Sequence, residues 1–184
     1  CLAGVTLVER LPAPMPAGLF GGLFPIPGLS FMMAYSKTAG LVLNWFRDQF
    51  GGGLGLKELD AEAAGVPPGA RGVTMIPHFD GAVSPRPDPA VRGAFAGLTL
   101  RHGRGDLYRA ILEALAFALR ENLDYMGEQG IVPATVRSIG GGARSALWLQ
   151  IKADVTGLPI EQPVVTESAV LGAAMLAASG WGEF

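Results

Sequence analysis

The sequence predicts an α/β domain in which helices cover a mixed sheet, and three observations lead to this prediction. The second half of the 184-residue chain alternates helical with strand-like segments, which is typical of α/β architecture. Hydrophobic residues make up 49% of the chain and charged residues only 16%, which indicates a folded domain rather than a disordered one. The length suits a single domain with a sizeable core.

Two strands are predicted near the start of the chain, at residues 2–10 and 31–35, where short apolar runs occur. The apolar stretch 15–33 between them is long enough to suggest a membrane span. Its three prolines and several glycines oppose a helix, so a loop crossing the surface is expected instead.

The first helix is predicted over residues 38–50, where apolar residues recur at helical spacing. Leu41, Trp45 and Phe46 form the apolar stripe of this helix in the prediction. The consecutive glycines at 51–53 end it, because glycine disfavours a helix interior.

The middle of the chain is expected to hold a surface excursion, a strand, a loop and the longest helix. Residues 54–72 predict a short helix within the excursion, and residues 73–79 predict a buried strand. Prolines make 80–93 a loop. The long helix is predicted over 106–126, with Asp106 as its N-cap.

The C-terminal part alternates strand and helix. Strands are predicted at 135–139 and 158–161, and a helix between them at 145–155. The last helix is predicted over 168–179 and ends at Gly180. Its small residues would allow another element to pack close to its backbone.

Three contiguous glycines, Gly140, Gly141 and Gly142, lie where a predicted strand meets a predicted helix. Such a junction presents backbone N–H groups and the positive end of a helix dipole, for which phosphate is a natural ligand. The spacing fits neither a P-loop nor the dinucleotide-binding fingerprint. From the spacing alone, phosphate binding and a plain tight turn are equally good interpretations.

Charge and cysteine content exclude several classes of function. The formal net charge is −2 and no basic block is present, so nucleic acid is not an expected partner. The only cysteine is Cys1, which rules out an internal disulfide and agrees with a reducing cytoplasm. A strand-like segment follows Cys1 directly, which favours a fragment of a longer protein over a processed lipoprotein.

Five segments, taken in chain order, resemble the signature blocks of the FGGY carbohydrate kinases. The blocks span nearly the whole chain, and the region Gly142-Ala143-Arg144-Ser145 is most similar to the xylulose kinase-like members of the family. The segments are TAGLVLNWFRD (38–48), PHFDGAVSPRPDPAVRG (77–93), GAFAGLTLRHGRGDLYRAILE (93–113), GGGARSALWLQIKADVTGLPI (140–160) and SAVLGAAMLA (168–177).

The resemblance implies a two-domain, actin-like ATPase (ribonuclease H-like) fold in which each domain is a mixed sheet flanked by helices. Residues 1–184 would be the C-terminal nucleotide-binding domain without its first strands, and the N-terminal sugar-binding domain would be absent. The implied activity is ATP- and Mg²⁺-dependent phosphorylation of a sugar or polyol, a pentulose such as xylulose, in the cytoplasm. The family's catalytic Asp would lie upstream, so no catalytic residue is assigned here and the isolated chain is expected to be inactive.

The resemblance also implies six cofactor-binding residues at two corners of the fold. At the first corner, Gly40 would approach the ATP phosphates and Asn44 would follow one helical turn later. At the second corner, two glycines would face the phosphates and ribose, and the next helix would begin beside the adenine. The residues of the second corner are Gly141, Gly142, Ser145 and Ala146.

Two departures from the family pattern bear on the substrate and on packing. Asp80, which precedes Gly81, belongs to the later loop and does not correspond to the catalytic Asp. That loop reads Gly81-Ala82-Val83 instead of Gly-Glu-Arg, which leaves the identity of the sugar open. Glu113 is followed by Ala114 where glycine is common, which should change only helix packing.

Other interpretations remain open for the chain as a whole. It could be a non-catalytic, actin-like nucleotide-binding or regulatory module, or a scaffold in which the glycines serve only as turns. A face rich in Ala and Gly could also produce a homodimer of the fragment.

Single residues have structural interpretations that we favour over functional ones. Trp45 and Trp148 are expected in the core rather than against adenine, and Glu113 in an ion pair or cap rather than in chemistry. The histidines are expected to fill hydrogen-bonding roles, with His102 in a solvated basic turn. The remaining two are Asp88, expected as a turn former, and Gly172, expected as a helix-contact residue.

Overall fold

A computed structural model describes residues 2–165 and 167–180. The expectation that Cys1 marks a fragment boundary concerns a residue outside these ranges. In chain order the elements are β1 (Leu2–Val8), β2 (Phe20–Leu23), β3 (Ser30–Ser36), α1 (Ala39–Phe50), α2 (Leu56–Ala64), β4 (Thr74–Ile76), β5 (Ala94–Ala96), α3 (Arg104–Glu128), β6 (Val136–Arg137), α4 (Ala146–Thr156), β7 (Ile160–Glu161) and α5 (Ser168–Gly180).

The described strands form three small sheets. Parallel and antiparallel pairing both occur, as expected for a mixed sheet, but in separate sheets. The N-terminal sheet is antiparallel with the order β1-β3-β2, and Leu2 pairs with Ser36 at one end of it. β4 and β5 form an antiparallel pair. β6 and β7 run parallel, with Val136 opposite Ile160. The connection between these last two strands contains α4, as parallel strands require a crossover.

Strand β2 corrects the expectation that residues 15–33 form only a loop. Phe20 pairs with Met33 of β3, so the stretch contains all of β2 and the first part of β3. The glycines within β2 permit this, because a Cβ at Gly21 would meet the Leu11 side chain at 2.7 Å and that of Met15 at 2.9 Å. Across the described residues, none of the helices has the length and apolar character needed to cross a membrane.

Helix α3 lies at the centre of the hydrophobic core and contacts α1, α2, α4 and the strands β1, β3 and β4. Ile111, Leu112 and Leu115 are fully buried on it. Its 25 residues bury a broad face because helices approach it from several sides. The predicted helix over 106–126 is therefore confirmed, with bounds two residues longer at each end.

The predicted N-cap of this helix is wrong, because Gly103 occupies that position. Asp106 is instead the third residue of α3, and its Oδ2 accepts a hydrogen bond from the Gly103 N–H at 2.8 Å. Its Oδ1 pairs with Arg71 Nη1 at 2.6 Å. A carboxylate at this position satisfies a free N–H at the helix start much as an N-cap would, which explains the shifted prediction.

The buried face of α1 differs from the predicted apolar stripe of Leu41, Trp45 and Phe46. The buried residues are Ala39, Val42, Leu43 and Phe46, whereas Leu41 is 63% exposed. Trp45 is 36% exposed, so it lies at the edge of the core and not inside it. Its ring packs against those of Phe50 and Phe79.

Strand β4 differs from the buried strand predicted at residues 73–79. Only its middle residue, Met75, is buried. The two-stranded pair with β5 leaves one face to solvent, so the strand alternates instead of being buried throughout.

Helix α5 forms as predicted but lies apart from the core. None of its residues is buried, and a Cβ at Gly172 would meet no atom within 4 Å among the described residues. The expected role of Gly172 as a close helix contact is therefore not seen in this part of the chain.

Candidate functional site

A cavity of about 1150 Å³ brings together residues from both predicted corners. Gly40 and Asn44 of α1 line it, although they precede the glycine segment by about one hundred positions. Gly141, Gly142 and Ser145 line it from the second corner. Ala146 is exposed and is not among the residues that line the cavity.

The second corner is a strand, a glycine turn and a helix, in the predicted order. Gly140 has φ 74° and ψ −164°, a conformation that favours glycine, and residues Gly141–Arg144 form one 3-10 turn. Ser145 caps α4, since its Oγ accepts a hydrogen bond from the Trp148 N–H at 3.0 Å. The capping bond uses the serine oxygen as an acceptor, so its hydroxyl proton can still be donated, and the carboxyl of Asp60 is a nearby acceptor.

The three glycines of this corner have different structural causes. A Cβ at Gly141 would meet no atom of residues 2–165 or 167–180 within 4 Å, so that position is open in the described part of the chain. A Cβ at Gly142 would lie 2.7 Å from Cζ3 of Trp148. Gly140 is therefore required by backbone conformation and Gly142 by packing. Gly141 leaves free space above the main chain.

The first corner is the beginning of α1, which also presents bare backbone. A Cβ at Gly40 would meet no described atom within 4 Å. Thr38 holds the N-cap position but does not cap the helix with its side chain. Its Oγ1 donates instead to the Pro77 carbonyl at 3.0 Å. Among the residues that the structure describes, the first-turn N–H groups are thus left without a capping side chain, an arrangement that suits an anion.

Asp60 of α2 also lines the cavity, and the sequence analysis missed it. Burial raises the pKa of the Asp60 carboxyl, while the nearby hydroxyls of Ser145 and Tyr108 oppose that rise. Its Oδ1 is buried and has no hydrogen-bond partner by distance and angle among the described residues, although the hydroxyls of Ser145 and Tyr108 lie close enough to the carboxyl to act on its pKa. Tyr108 is only 1% exposed, and burial together with Asp60 raises the pKa of its hydroxyl. Nothing in the spacing of α2 distinguishes Asp60 from an ordinary surface acid.

Lys152 is a second charged residue that the sequence analysis missed. It lines the cavity but is only 3% exposed. Its Nζ donates to Ser138 Oγ at 3.1 Å and lies 4.2 Å from the centre of the Trp148 ring. Burial lowers the pKa of Lys152 to about 8, because the surroundings solvate a charged amine poorly.

Two structural interpretations from the sequence are confirmed in the core. Trp148 is 4% exposed, and its Nε1 donates to the Leu112 carbonyl at 3.2 Å. Glu113 accepts hydrogen bonds from Arg109 Nε at 2.6 Å and from the Gly69 N–H at 3.1 Å. The first residue is thus a core aromatic and the second forms a buried ion pair.

Two further interpretations are confirmed in loops. Nδ1 of His102 accepts from the Thr99 N–H at 2.9 Å, and its other ring nitrogen lies 3.2 Å from the Arg71 carbonyl. Oδ1 of Asp88 accepts from the Ala90 N–H at 2.8 Å, which closes a turn.

Metal ligands do not converge in the part of the chain that the structure describes. No group of three or more His, Cys, Asp or Glu side chains there could hold a metal ion. The cavity is lined by bare backbone, hydroxyls and apolar side chains together with six charged residues: Lys57, Asp60, Arg137, Arg144, Lys152 and Glu161.

Comparison with known proteins yields one family and consistent relatives. A family model described as the C-terminal domain of the FGGY family of carbohydrate kinases matches residues 1–181. A xylulose kinase of Staphylococcus epidermidis is 33% identical over 159 residues, which are 86% of this chain and 32% of that protein. A glycerol kinase of Rhodospirillum centenum is 41% identical over 149 residues, which are 79% of this chain and 30% of that protein.

Among solved structures, the crystal structure of a xylulose kinase from Rhodospirillum rubrum superposes with a TM-score of 0.82. It is 33% identical, and the match covers 97% of this chain and 36% of that one. The actin-like ATPase fold predicted from the sequence is thus confirmed. The chain spans about a third of the length of the curated relatives it matches.

Proposed function

We propose, since this chain belongs to the FGGY family of carbohydrate kinases, that it supplies the ATP-binding part of a sugar or polyol kinase. The observation that carries this proposal is the meeting of two bare-backbone corners in one cavity. Gly40 and Gly141 are far apart in the sequence, yet both leave open space at the same cavity. A cavity with few convergent polar groups is the usual form of a small-molecule site.

The physical chemistry of the two corners suits the phosphates of a nucleotide. Each corner begins a helix, and the positive end of a helix dipole favours an anion. The absence of side chains at Gly40 and Gly141 lets phosphate oxygens approach the N–H groups. Asn44, one turn into α1, can orient the ligand with a single amide. At Gly142 the ring of Trp148 occupies the space that a side chain would need, so this position offers only main chain to the cavity.

The reaction itself would require groups that this chain does not contribute. A carboxylate would take the proton from a sugar hydroxyl, and the resulting oxygen would attack the γ-phosphorus of ATP. Closure of two domains around the cavity would exclude water and limit hydrolysis of ATP. The described residues do not fit a protein-held Mg²⁺ site, so any Mg²⁺ would be bound through the phosphates of the nucleotide.

For the substrate we favour a pentulose such as xylulose, with the reaction in the cytoplasm. The support is the similarity of the glycine segment and its flanks to the xylulose kinase-like members. The relatives include both xylulose and glycerol kinases, so the supported class is sugars and polyols. The residues that grip the sugar, and the catalytic carboxylate, are expected in the part of those longer relatives that this chain does not span.

The test is titration of the 184-residue chain with ADP by calorimetry. Gly141→Asp places a carboxylate in the open space at the second corner, so ADP affinity should fall at least tenfold, or about 1.4 kcal/mol. Gly172→Asp is the matched control, because that glycine is also free of contacts but does not line the cavity. Absence of ADP binding, or equal affinity in the two variants, would contradict the proposal.

Catalytic activity gives an independent test. The 184-residue chain should not phosphorylate pentuloses or glycerol with ATP, whereas a full reading frame that contains it should. Turnover by the chain alone would show that the catalytic carboxylate lies within it.

A further inference from the structure

The glycine turn at the second corner, Gly141–Arg144, has hydrogen-bond donors that the described part of the chain does not use. The N–H groups of Gly141 and Gly142 donate to no acceptor among the described residues. Both residues line the cavity. Successive free N–H groups bind an anion well when their directions are fixed before the anion arrives. The contacts that fix this turn therefore bear on what the cavity can bind.

The first half of the turn is weakly held. A Cβ at Gly140 or Gly141 would meet no described atom within 4 Å, so packing does not restrain these positions. The Ala143 N–H donates to the Gly140 carbonyl at 3.1 Å, which closes the turn. Arg144 pairs with Glu167 at 2.6 Å, but the two side chains are 67% and 63% exposed, so this ion pair should contribute little.

Gln162 holds the second half of the turn from outside the cavity. Its Nε2 donates to the Ala143 carbonyl at 2.8 Å, although 19 positions separate the two residues. Ala143 is fully buried, so this donor compensates for the lost hydration of that carbonyl. Gln162 directly follows β7, and the Ser138 N–H donates to the Glu161 carbonyl at 2.8 Å. The paired strands β6 and β7 therefore fix both the entry to the turn and the position of the glutamine.

We propose that Gln162 is a positioning residue, which fixes the Ala143 carbonyl and thereby directs the free N–H groups of Gly141 and Gly142 into the cavity. Gln162 is exposed and is not among the residues that line the cavity, so it acts through the main chain of the turn. The entropy of ordering the turn is then lost on folding and not on binding, which raises the affinity for a ligand. The inference rests on the proposed function, because it assumes that these N–H groups bind the phosphates of a nucleotide.

The experiment measures the affinity of the 184-residue chain for ADP by calorimetry. Gln162→Ala removes the donor and should weaken ADP binding about three- to tenfold, which corresponds to one hydrogen bond. Gln150→Ala is the matched control and should leave the affinity unchanged. Gln150 is also exposed, donates to Asp154 Oδ1 at 2.7 Å within α4, and does not line the cavity. Circular dichroism of each variant checks that it is folded.

Gln162→Glu keeps the length of the side chain and makes the donor depend on pH. At pH 8 its carboxylate would face the Ala143 carbonyl, acceptor against acceptor, so ADP should bind at least as weakly as to Gln162→Ala. At about pH 4.5 much of the carboxyl is protonated and can donate, so the affinity relative to the wild type at the same pH should recover by about threefold. The charged pairs beside it are common to both chains, namely Arg144 with Glu167 and Arg137 with Glu161.

A double variant shows whether Gln162 acts through the glycine turn. In Gly141→Asp the new carboxylate already repels the phosphates, so adding Gln162→Ala should weaken ADP binding by about twofold at most. An undiminished loss in this background would overturn the role of Gln162. Wild-type affinity in folded Gln162→Ala, or an affinity of Gln162→Glu that does not recover at low pH, would also overturn it.

The outcomes distinguish this inference from the function on which it rests. Absence of ADP binding by the wild-type chain contradicts the proposed function, and the inference with it. ADP binding that Gln162→Ala leaves intact contradicts the inference alone.

Discussion

The six-membered ring of Trp148 occupies the space where a side chain on Gly142 would begin, with Cζ3 2.7 Å from the position of a Cβ. The third glycine of the segment is thus held by packing within the domain. The second, Gly141, has no such neighbour. Substitution of these two adjacent glycines should therefore change the free energy of unfolding by different amounts.

Gly142→Ala should lower the free energy of unfolding by about 1–3 kcal/mol, because the ring of Trp148 has to move. Gly141→Ala should change it by less than about 0.5 kcal/mol, since the added methyl group enters open space. Urea denaturation of both variants measures the difference. Equal effects would show that the ring does not restrict position 142.

Gly40→Asp should separate binding from stability at the first corner. The new carboxylate lies in the first turn of α1, where it should stabilise the helix by about 0.3–1 kcal/mol. It should also repel the phosphates and weaken ADP binding. Thermal unfolding and calorimetry on one sample test both effects. A Gly40→Asp chain that binds ADP as the wild type does would exclude this corner from the phosphate site.

Glu113→Ala should be strongly destabilising, because it leaves the buried guanidinium of Arg109 without its partner and frees the Gly69 N–H. The expected loss is about 3–5 kcal/mol by denaturation. The double variant Arg109→Met with Glu113→Leu should recover much of it, since no buried charge remains. A single variant with near-normal stability would mean that water reaches Arg109.

Lys152→Met should change how stability depends on pH. The pKa of Lys152 is about 8 in the folded chain, against about 10.4 in an unfolded one, so the unfolded state binds more protons between these values. The burial penalty is therefore complete below pH 8 and is relieved as the pH rises towards 10. Removing the charge should add about 1–3 kcal/mol to the free energy of unfolding at pH 7, and the gain should shrink at higher pH.

Denaturation at several pH values from 7 to 9.5 measures the effect of Lys152→Met. The control is Lys57→Met, at an exposed lysine, which should show no such gain. A constant difference across this pH range would contradict the burial of a charged amine at position 152.

Local signals predicted the helices well and the strands less well. The long helix was predicted because apolar residues recur along it and its start has an acidic residue, although Gly103 and not Asp106 holds the N-cap. β2 was missed because Phe20 acquires its partner Met33 only when the chain folds back, and the two glycines beside it give no strand signal.

Some residues of the candidate site are indicated by the sequence, and others are recognised only in the tertiary structure. The glycine segment could be proposed because bare backbone before a helix is visible in the sequence, whereas Gly40 came only from the resemblance to a family, and the role of both in binding stays a prediction. Asp60 and Lys152 could not be found, because a charged residue on a helix looks the same whether its side chain faces solvent or a cavity.

The sequence by itself determined the α/β class, the order of the helices and the family, since these depend on periodicity and on short ordered motifs. Only the tertiary structure decided which glycine is open and which is packed. It also decided which charges are buried. Those properties depend on the distance to residues remote in the chain, such as Trp148 from Gly142 and Tyr108 from Asp60, and no local pattern encodes that distance.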